Sequence, residues 1–400
     1  MQFKMRWALA LLPVLALATP AIAQVPPTLA DPNEPGSVLV FPKFVNNAAV
    51  SVDGALLPRT EIELGAVCPV GFGTAPGVPG LCAEHQSVKV RFHWVCPGTQ
   101  DVASKFVCQE TDFDIVVSIN GKLAFAADGT PLNANSPTVP AANCENGYLI
   151  AWVIDNFDRP IKFDGLIGDA VIRGPVLASG PNAGLSTSVE GYKAIAIQAA
   201  PGPAQGALIT TVPDPFLGTP TLAFDGVAGH YQALAGNLYG DVKYDRTTAG
   251  GLPTPSNALS RTYLILLTLD VRSNQPNYPT FVPLQFYNES KGNPSSTDPN
   301  FERLVSSATE FLCWTQVGLT AIDVNLTQVA MTTRKGLVHA GPAVKVPFIG
   351  INDTAGPATL IGLVQTIEGT SANGFFERGY IYNMFDDSRP VPTTFLPFPF

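Results

Sequence analysis

From Val88 to Cys96 the chain alternates with period two: Val88, Val90, Phe92, Trp94 and Cys96 share one face, while Lys89, Arg91 and His93 share the other. That is the pattern of a strand packed on one side and wetted on the other, and it predicts an outward-facing His93. Val282, Leu284 and Phe286, alternating with Pro283, Gln285 and Tyr287, predict a second strand of the same kind. Short apolar segments rich in Val, Ile, Phe and Tyr predict further strands near 37–41, 61–67, 113–119, 148–154, 193–199, 263–271, 324–331, 359–367 and 379–385. With 36 glycines and 37 prolines among 400 residues, long helices have little room, and one short helix is expected near His230 to Leu234.

Some of these segments recur in order. Ala103 to Cys108 (ASKFVC) is echoed by Ala308 to Cys313 (ATEFLC), Gly36 to Leu39 by Gly236 to Tyr239, and Arg59-Thr60 by Arg261-Thr262. Further along, Leu149-Ile150 matches Leu360-Ile361, and Gly165 to Ile167 matches Gly379 to Ile381. The spacing grows from 200 residues at Gly36 and Gly236 to 214 at Gly165 and Gly379, as loop insertions between two copies would produce. The expected fold is all-β, with two tandem antiparallel β-sandwich domains of immunoglobulin-like architecture arising from an internal duplication. After an N-terminal linker over 24–35, the first sandwich covers 36–200 and the second 236–400. The segment 201–235, with five prolines, is expected as a linker or an edge insertion. In the Pro/Phe-rich tail, Pro390, Pro392, Pro397 and Pro399 predict an extended strap packed over the sandwich, with Phe395 outside any regular central strand.

Export changes how the cysteines read. Lys4 and Arg6 precede an apolar run over 8–18, and Ala21-Ile22-Ala23 is a small-x-small cleavage site, so 1–23 is expected to be a secretory signal peptide and Gln24 the first mature residue. The run is too short to span a bilayer, and no later segment is apolar for long enough to form a transmembrane helix. Six cysteines in an exported chain, none in a Cys-x-x-Cys arrangement, predict disulfides. Proximity pairs Cys68 with Cys82 and Cys96 with Cys108. Cys144 and Cys313 then either staple the two halves together or stay free.

Charge narrows the partners. The net charge is −9, and removing Lys4 and Arg6 makes it −11, with no basic cluster to meet a phosphate backbone, so nucleic acid is excluded. Only 14% of residues are charged, against about 25% in ordinary soluble domains. Such a surface favours self-association or attachment to a cell-surface partner.

Candidate chemistry is sparse. Asp155-Asn156-Phe157-Asp158, followed by Asp164 and Asp169, places oxygen ligands along one loop, as calcium requires, though without the spacing of an EF-hand. The same carboxylates could serve as the acid pair of a glycosidase. There is no Gly-x-Ser-x-Gly or His-Glu-x-x-His, and the glycine-rich run 70–80 lacks the Gly-Lys-Ser/Thr ending of a phosphate loop. The four histidines, His85, His93, His230 and His339, have no metal-pair spacing. The leading expectation is a secreted or cell-surface, non-enzymatic protein acting in binding, adhesion or extracellular assembly. The alternatives are a secreted polysaccharide hydrolase and a calcium-stabilised structural module; no other cofactor is indicated.

Overall fold

In the computed structural model, the described residues are 30–46, 58–72, 82, 86–98, 107–174, 189–214, 218–244, 258–272, 278–288, 303–322, 335–346, 356–370, 376–386, 390–391 and 393–396. The first half contributes β1 (Val38–Val45), β2 (Arg59–Ala66), β3 (Ser87–Val95), β4 (Glu110–Ser118), β5 (Gly121–Ala126), β6 (Asn146–Ile154), β7 (Leu166–Arg173), β8 (Val189–Lys193) and β9 (Ile195–Ile197). They form two antiparallel sheets, ordered β4-β3-β6-β1-β9 and β5-β2-β7-β8. A middle group follows: β10 (Val212–Pro213), β11 (Pro220–Phe224) and β12 (Leu234–Ala235).

The second half begins with β13 (Leu238–Lys243), β14 (Ala258–Leu267), β15 (Val271–Arg272), β16 (Thr280–Asn288), β17 (Arg303–Phe311), β18 (Trp314–Gly318) and the four-residue helix α1 (Leu319–Ile322). It continues with β19 (Lys335–Ala340), β20 (Val344–Lys345), β21 (Gly356–Pro357), β22 (Ile361–Thr370), β23 (Phe376–Asn383) and β24 (Phe385–Asp386). The tail adds β25 (Pro390–Val391) and β26 (Thr393–Leu396). One sheet contains the series β17-β16-β19-β13-β24, extended by β20 and β21, and the other is β18-β14-β22-β23.

Strand for strand, that is the order of the first half, with β13 and β14 in the places of β1 and β2, β16–β19 in those of β3–β6, and β22–β24 in those of β7–β9. The order corrects several sequence matches. Cys108 precedes β4, whereas Cys313 follows β17, the strand in β4's place. Leu149 lies in β6, but Ile361 opens β22, and Leu166 opens β7, but Tyr380 lies in β23. Gly36 with Gly236 and Arg59 with Arg261 do fall at corresponding strands. Corresponding strands also draw closer in number, from a spacing of 200 at Val38 and Leu238 to 190 at Ile195 and Phe385. Pairs such as Leu-Ile recur in any strand-rich chain, so short matches align as readily with the wrong strand as with the right one. The immunoglobulin expectation differs too. β1 and β2 lie in opposite sheets, whereas the immunoglobulin order sets its first two strands side by side.

Alternation explains how the first two sheets meet. Phe92 on β3 packs edge-on against Phe125 on β5 across the sheets, with ring centroids 5.4 Å apart, and Trp94 meets the same Phe125 at 6.0 Å. β6 departs from alternation: every residue from Gly147 to Ile154 is buried, because both faces of its sheet are covered. Part of the cover on the second face is a third sheet, β10-β11-β26-β15, which joins the middle segment to the C-terminal tail. Within 201–235, Leu222, Phe224 and Tyr231 are fully buried. Phe395 sits on a strand flanked on both sides, opposite Leu222 and Val271, contrary to the expectation from its prolines. Pro392 and Pro397 bracket residues 393–396 and leave those four amides free to pair.

The helix expected near His230 does not form. Tyr231 bridges Ala199 and Phe224, and β12 pairs with β25. The strand expected over 324–331 lies outside the described residues, as does the expected signal peptide at 1–23. One apolar core runs through the first half and on into Ile265, Leu267, Leu312, Trp314, Ile361 and Leu363 of the second. A smaller core lies inside the second half around Leu264, Leu284, Phe286 and Val364.

Candidate functional site

The four aspartates expected to gather round calcium answer to different partners. Asp155 caps its own turn, accepting from the backbone N–H groups of Phe157 and Arg159 at 2.8 and 2.9 Å and from the Arg159 guanidinium at 2.7 Å. Asp158, in a left-handed conformation with φ 64°, pairs with Lys89 at 2.7 Å and Arg91 at 3.4 Å. Asp164 accepts from the Ser37 hydroxyl, the Ala199 N–H and the Gln205 amide at 2.7 to 2.8 Å, while Asp169 lies on β7 opposite Glu63 and Lys193. Among the described residues, no three His, Cys, Asp or Glu side chains converge as a metal group. These oxygens organise turns and pair with cations, which is the ordinary work of turn carboxylates.

The cysteines pair differently from the proximity expectation. Cys68 bonds to Cys82, but Cys96 bonds to Cys144 and Cys108 to Cys313. The reason is strand direction. Cys96 ends β3 and Cys144 precedes β6, and these antiparallel neighbours bring the two together with Cα atoms 5.8 Å apart. Cys108 then faces the second half, where Cys313 follows β17, and their Cα atoms are 6.4 Å apart. The staple between halves exists, with Cys108 rather than Cys144 as the first-half partner.

His93 corrects the alternation reading directly, since it is fully buried. Its ring stacks on Trp152 with centroids 4.5 Å apart, meets the Phe395 ring edge at 6.3 Å, and its Nδ1 contacts the buried Glu110 carboxyl. Nothing in β3 alone reveals this, but the unbroken apolar run of β6 is the signature of a strand covered on both faces. Burial holds the His93 imidazole well below the usual histidine range; Arg91 adds to the effect and Asp114 opposes it. In the window below pH about 6.5 the unfolded chain binds more protons than the folded one, so this group's contribution is complete above that window and is lost as pH falls. Wild type should lose about 1.4 kcal/mol per pH unit below 6.5 through this group. His93→Gln should lack that segment of the pH–stability curve measured by urea titration. Parallel curves for the two proteins would refute a neutral, buried His93.

Sequence reading also missed a second polar cluster, at the seam between the halves. The β1 ladder slips between Phe41 and Phe44, and such a bulge re-aims the side chains within it. Pro42 O accepts from the Trp314 indole at 2.8 Å, and the Tyr192 hydroxyl bonds both the N–H and the carbonyl of Lys43. The bulge turns Lys43 towards β22, where its Nζ lies 2.5 Å from Gln365 Oε1. The Gln365 amide nitrogen lies 2.5 Å from Glu190 Oε2 on β8. A Cβ on Gly379 would overlap the Glu190 carboxylate, so a glycine on β23 makes room for it. All four polar residues are buried. Desolvation brings the Lys43 amine down to about 8, against the pull of Glu190. Burial likewise raises the Glu190 carboxyl, against its hydrogen bond from Gln365 and the charge of Lys43.

On the outer surface, the Asp155 turn presents Phe157 at 78% exposure, with the Arg159 guanidinium 5.1 Å above its ring. Leu208, 46% exposed, stands across a cleft of about 480 Å³ that Pro160, Thr211 and Pro220 help to line. No helix among the described residues is long and apolar enough to cross a membrane.

No family model matches the chain, and no curated protein does. Among solved structures, tripeptidyl peptidase 2 aligns at 11% identity over 91% of this chain and 31% of its own, with a TM-score of 0.14. The CFA/I enterotoxigenic E. coli adhesin CfaE aligns at 8% identity over 93% of this chain and 97% of its own, with a TM-score of 0.11. Neither score marks a shared fold, and what the chain shows is an all-β architecture with three disulfides, consistent with an extracellular location.

Proposed function

We propose that the chain is an exported, non-enzymatic protein of the binding, adhesion or extracellular-assembly class, built from one duplicated unit over about 36–200 and 236–400. The bond between Cys108 and Cys313 carries this reading. No cysteine is free, which fits an oxidising compartment, and this pair ties half to half so that force between them falls on a covalent link. The apolar run behind Lys4 and Arg6 supports export. The common strand order supports duplication. The low charge content, with Phe157 and Leu208 exposed beside one cleft, supports docking to another surface or another copy.

Fractionation of the producing cells, thiol labelling and size-exclusion chromatography test the reading together. The protein is expected outside the cytoplasm, unreactive to maleimide until reduced, and either multimeric or bound to cells. Phe157→Asp with Leu208→Asp should weaken that association while leaving the fold intact. A cytoplasmic protein with reactive thiols, or a monomer that binds no cell surface, would overturn the proposal.

A further inference from the structure

Lys43, Gln365 and Glu190 form a sequence of contacts that joins the two halves away from water: amine to amide at 2.5 Å, then amide to carboxyl at 2.5 Å. An ion pair would be the simplest use of a buried lysine and a buried glutamate, yet here a glutamine amide stands between them. The amine touches the amide's carbonyl oxygen, and the carboxyl touches the amide's nitrogen, the atom that would depart if the carbonyl carbon were attacked. We propose that Lys43 and Gln365 become joined by an intramolecular isopeptide bond, with Glu190 carrying the protons.

The chemistry balances without an oxidant, a metal or an added reactant. Lys43 Nζ attacks Gln365 Cδ, and a C–N bond forms. Glu190 gives its proton to Nε2 and takes one from Nζ; the Cδ–Nε2 bond then breaks and ammonia leaves. One amide replaces another, and Glu190 ends as it began. Three features favour the step. Burial shifts the Lys43 amine and the Glu190 carboxyl towards their uncharged forms, the forms that can attack and donate. The bulge held by Tyr192 and Trp314 fixes the lysine in place, and such fixed approach replaces a slow bimolecular encounter by a unimolecular one. The carboxyl lies within hydrogen-bond reach of the leaving nitrogen, as acid–base catalysis requires.

The test uses the full exported protein, reduced, alkylated, digested with trypsin and analysed by mass spectrometry. A bonded Lys43 resists cleavage, so the expected product is a peptide running through Lys43 to Arg59 joined to residues 346–378. The pair should weigh about 17 Da less than its parts, the ammonia lost. The linked peptide, rather than the intact mass, is the readout, because cyclisation of a glutamine at the mature N-terminus would remove the same mass. Lys43→Arg keeps a cation but removes the nucleophile, and Glu190→Gln keeps the shape but removes the proton carrier; neither should yield the linked pair. Wild type cleaved fully after Lys43, with an unmodified 346–378 peptide, would overturn the bond. A linked pair undiminished in Glu190→Gln would overturn the part assigned to Glu190.

Discussion

Replacing Cys108 and Cys313 together by alanine should lower the unfolding free energy by about 5 kcal/mol, the larger part of it through the unfolded state. The two cysteines are 205 residues apart, so their bond closes a far longer loop than Cys68 and Cys82, which are 14 apart. Loop-closure entropy grows with the logarithm of length, and the short loop is worth about 3 kcal/mol by the same relation. Both long-loop cysteines are fully buried in the core that runs between the halves, so alanine also leaves a small void there. Native domains are stable by only about 5–15 kcal/mol, so the double variant should unfold at much lower denaturant and be more prone to unfold near body temperature. Denaturant titration without reductant measures this, with Cys68→Ala/Cys82→Ala as the reference. A midpoint shift no greater than that reference would mean that the halves are held by packing and not by the staple.

Phe395→Ala should cost about 4 kcal/mol, the usual price of emptying a fully buried phenylalanine site. Its position five residues before Phe400 suggests a dispensable strap, but its surroundings do not. Its ring lies 6.1 Å from that of Trp152 and 6.3 Å from that of His93, edge-on to both. It covers the second face of β6, where the imidazole of His93 meets the carboxyl of Glu110. Opening that face admits water to a polar pair that is shielded in the native protein, so cavity and solvation effects act in the same direction. Thermal unfolding of the variant should shift down by several degrees and near-ultraviolet circular dichroism from Trp152 should change. A variant within about 1 kcal/mol of wild type would show that the tail strand is peripheral to the fold.

Much of the strand content could be read from local pattern. β3 and β16 announce themselves by period-two alternation, and β6 by a run of apolar residues as long as a strand. Cys68 and Cys82 are close enough in the chain that few geometries keep them apart. Local pattern failed where a second layer arrived from far away. His93 has the spacing of a surface residue, and Phe395, about 300 positions later, helps to bury it. Cys96 and Cys144 meet because β3 and β6 are neighbours, which no spacing between the cysteines records.

The candidate site was less legible still. Asp155, Asp158, Asp164 and Asp169 cluster along the chain, yet the first three turn to different donors and Asp169 lies out on β7. Lys43, Glu190 and Gln365 lie on three strands from two halves, with nothing in their local sequences to connect them. Composition and periodicity, being properties of neighbours along the backbone, were enough to dictate β-strands, scarce helix and a cysteine count suited to an oxidising compartment. Sheet order, disulfide partners, the covered face of β3 and the amine–amide–carboxyl seam arise from contacts between distant segments, and such contacts exist only after the sheets have packed.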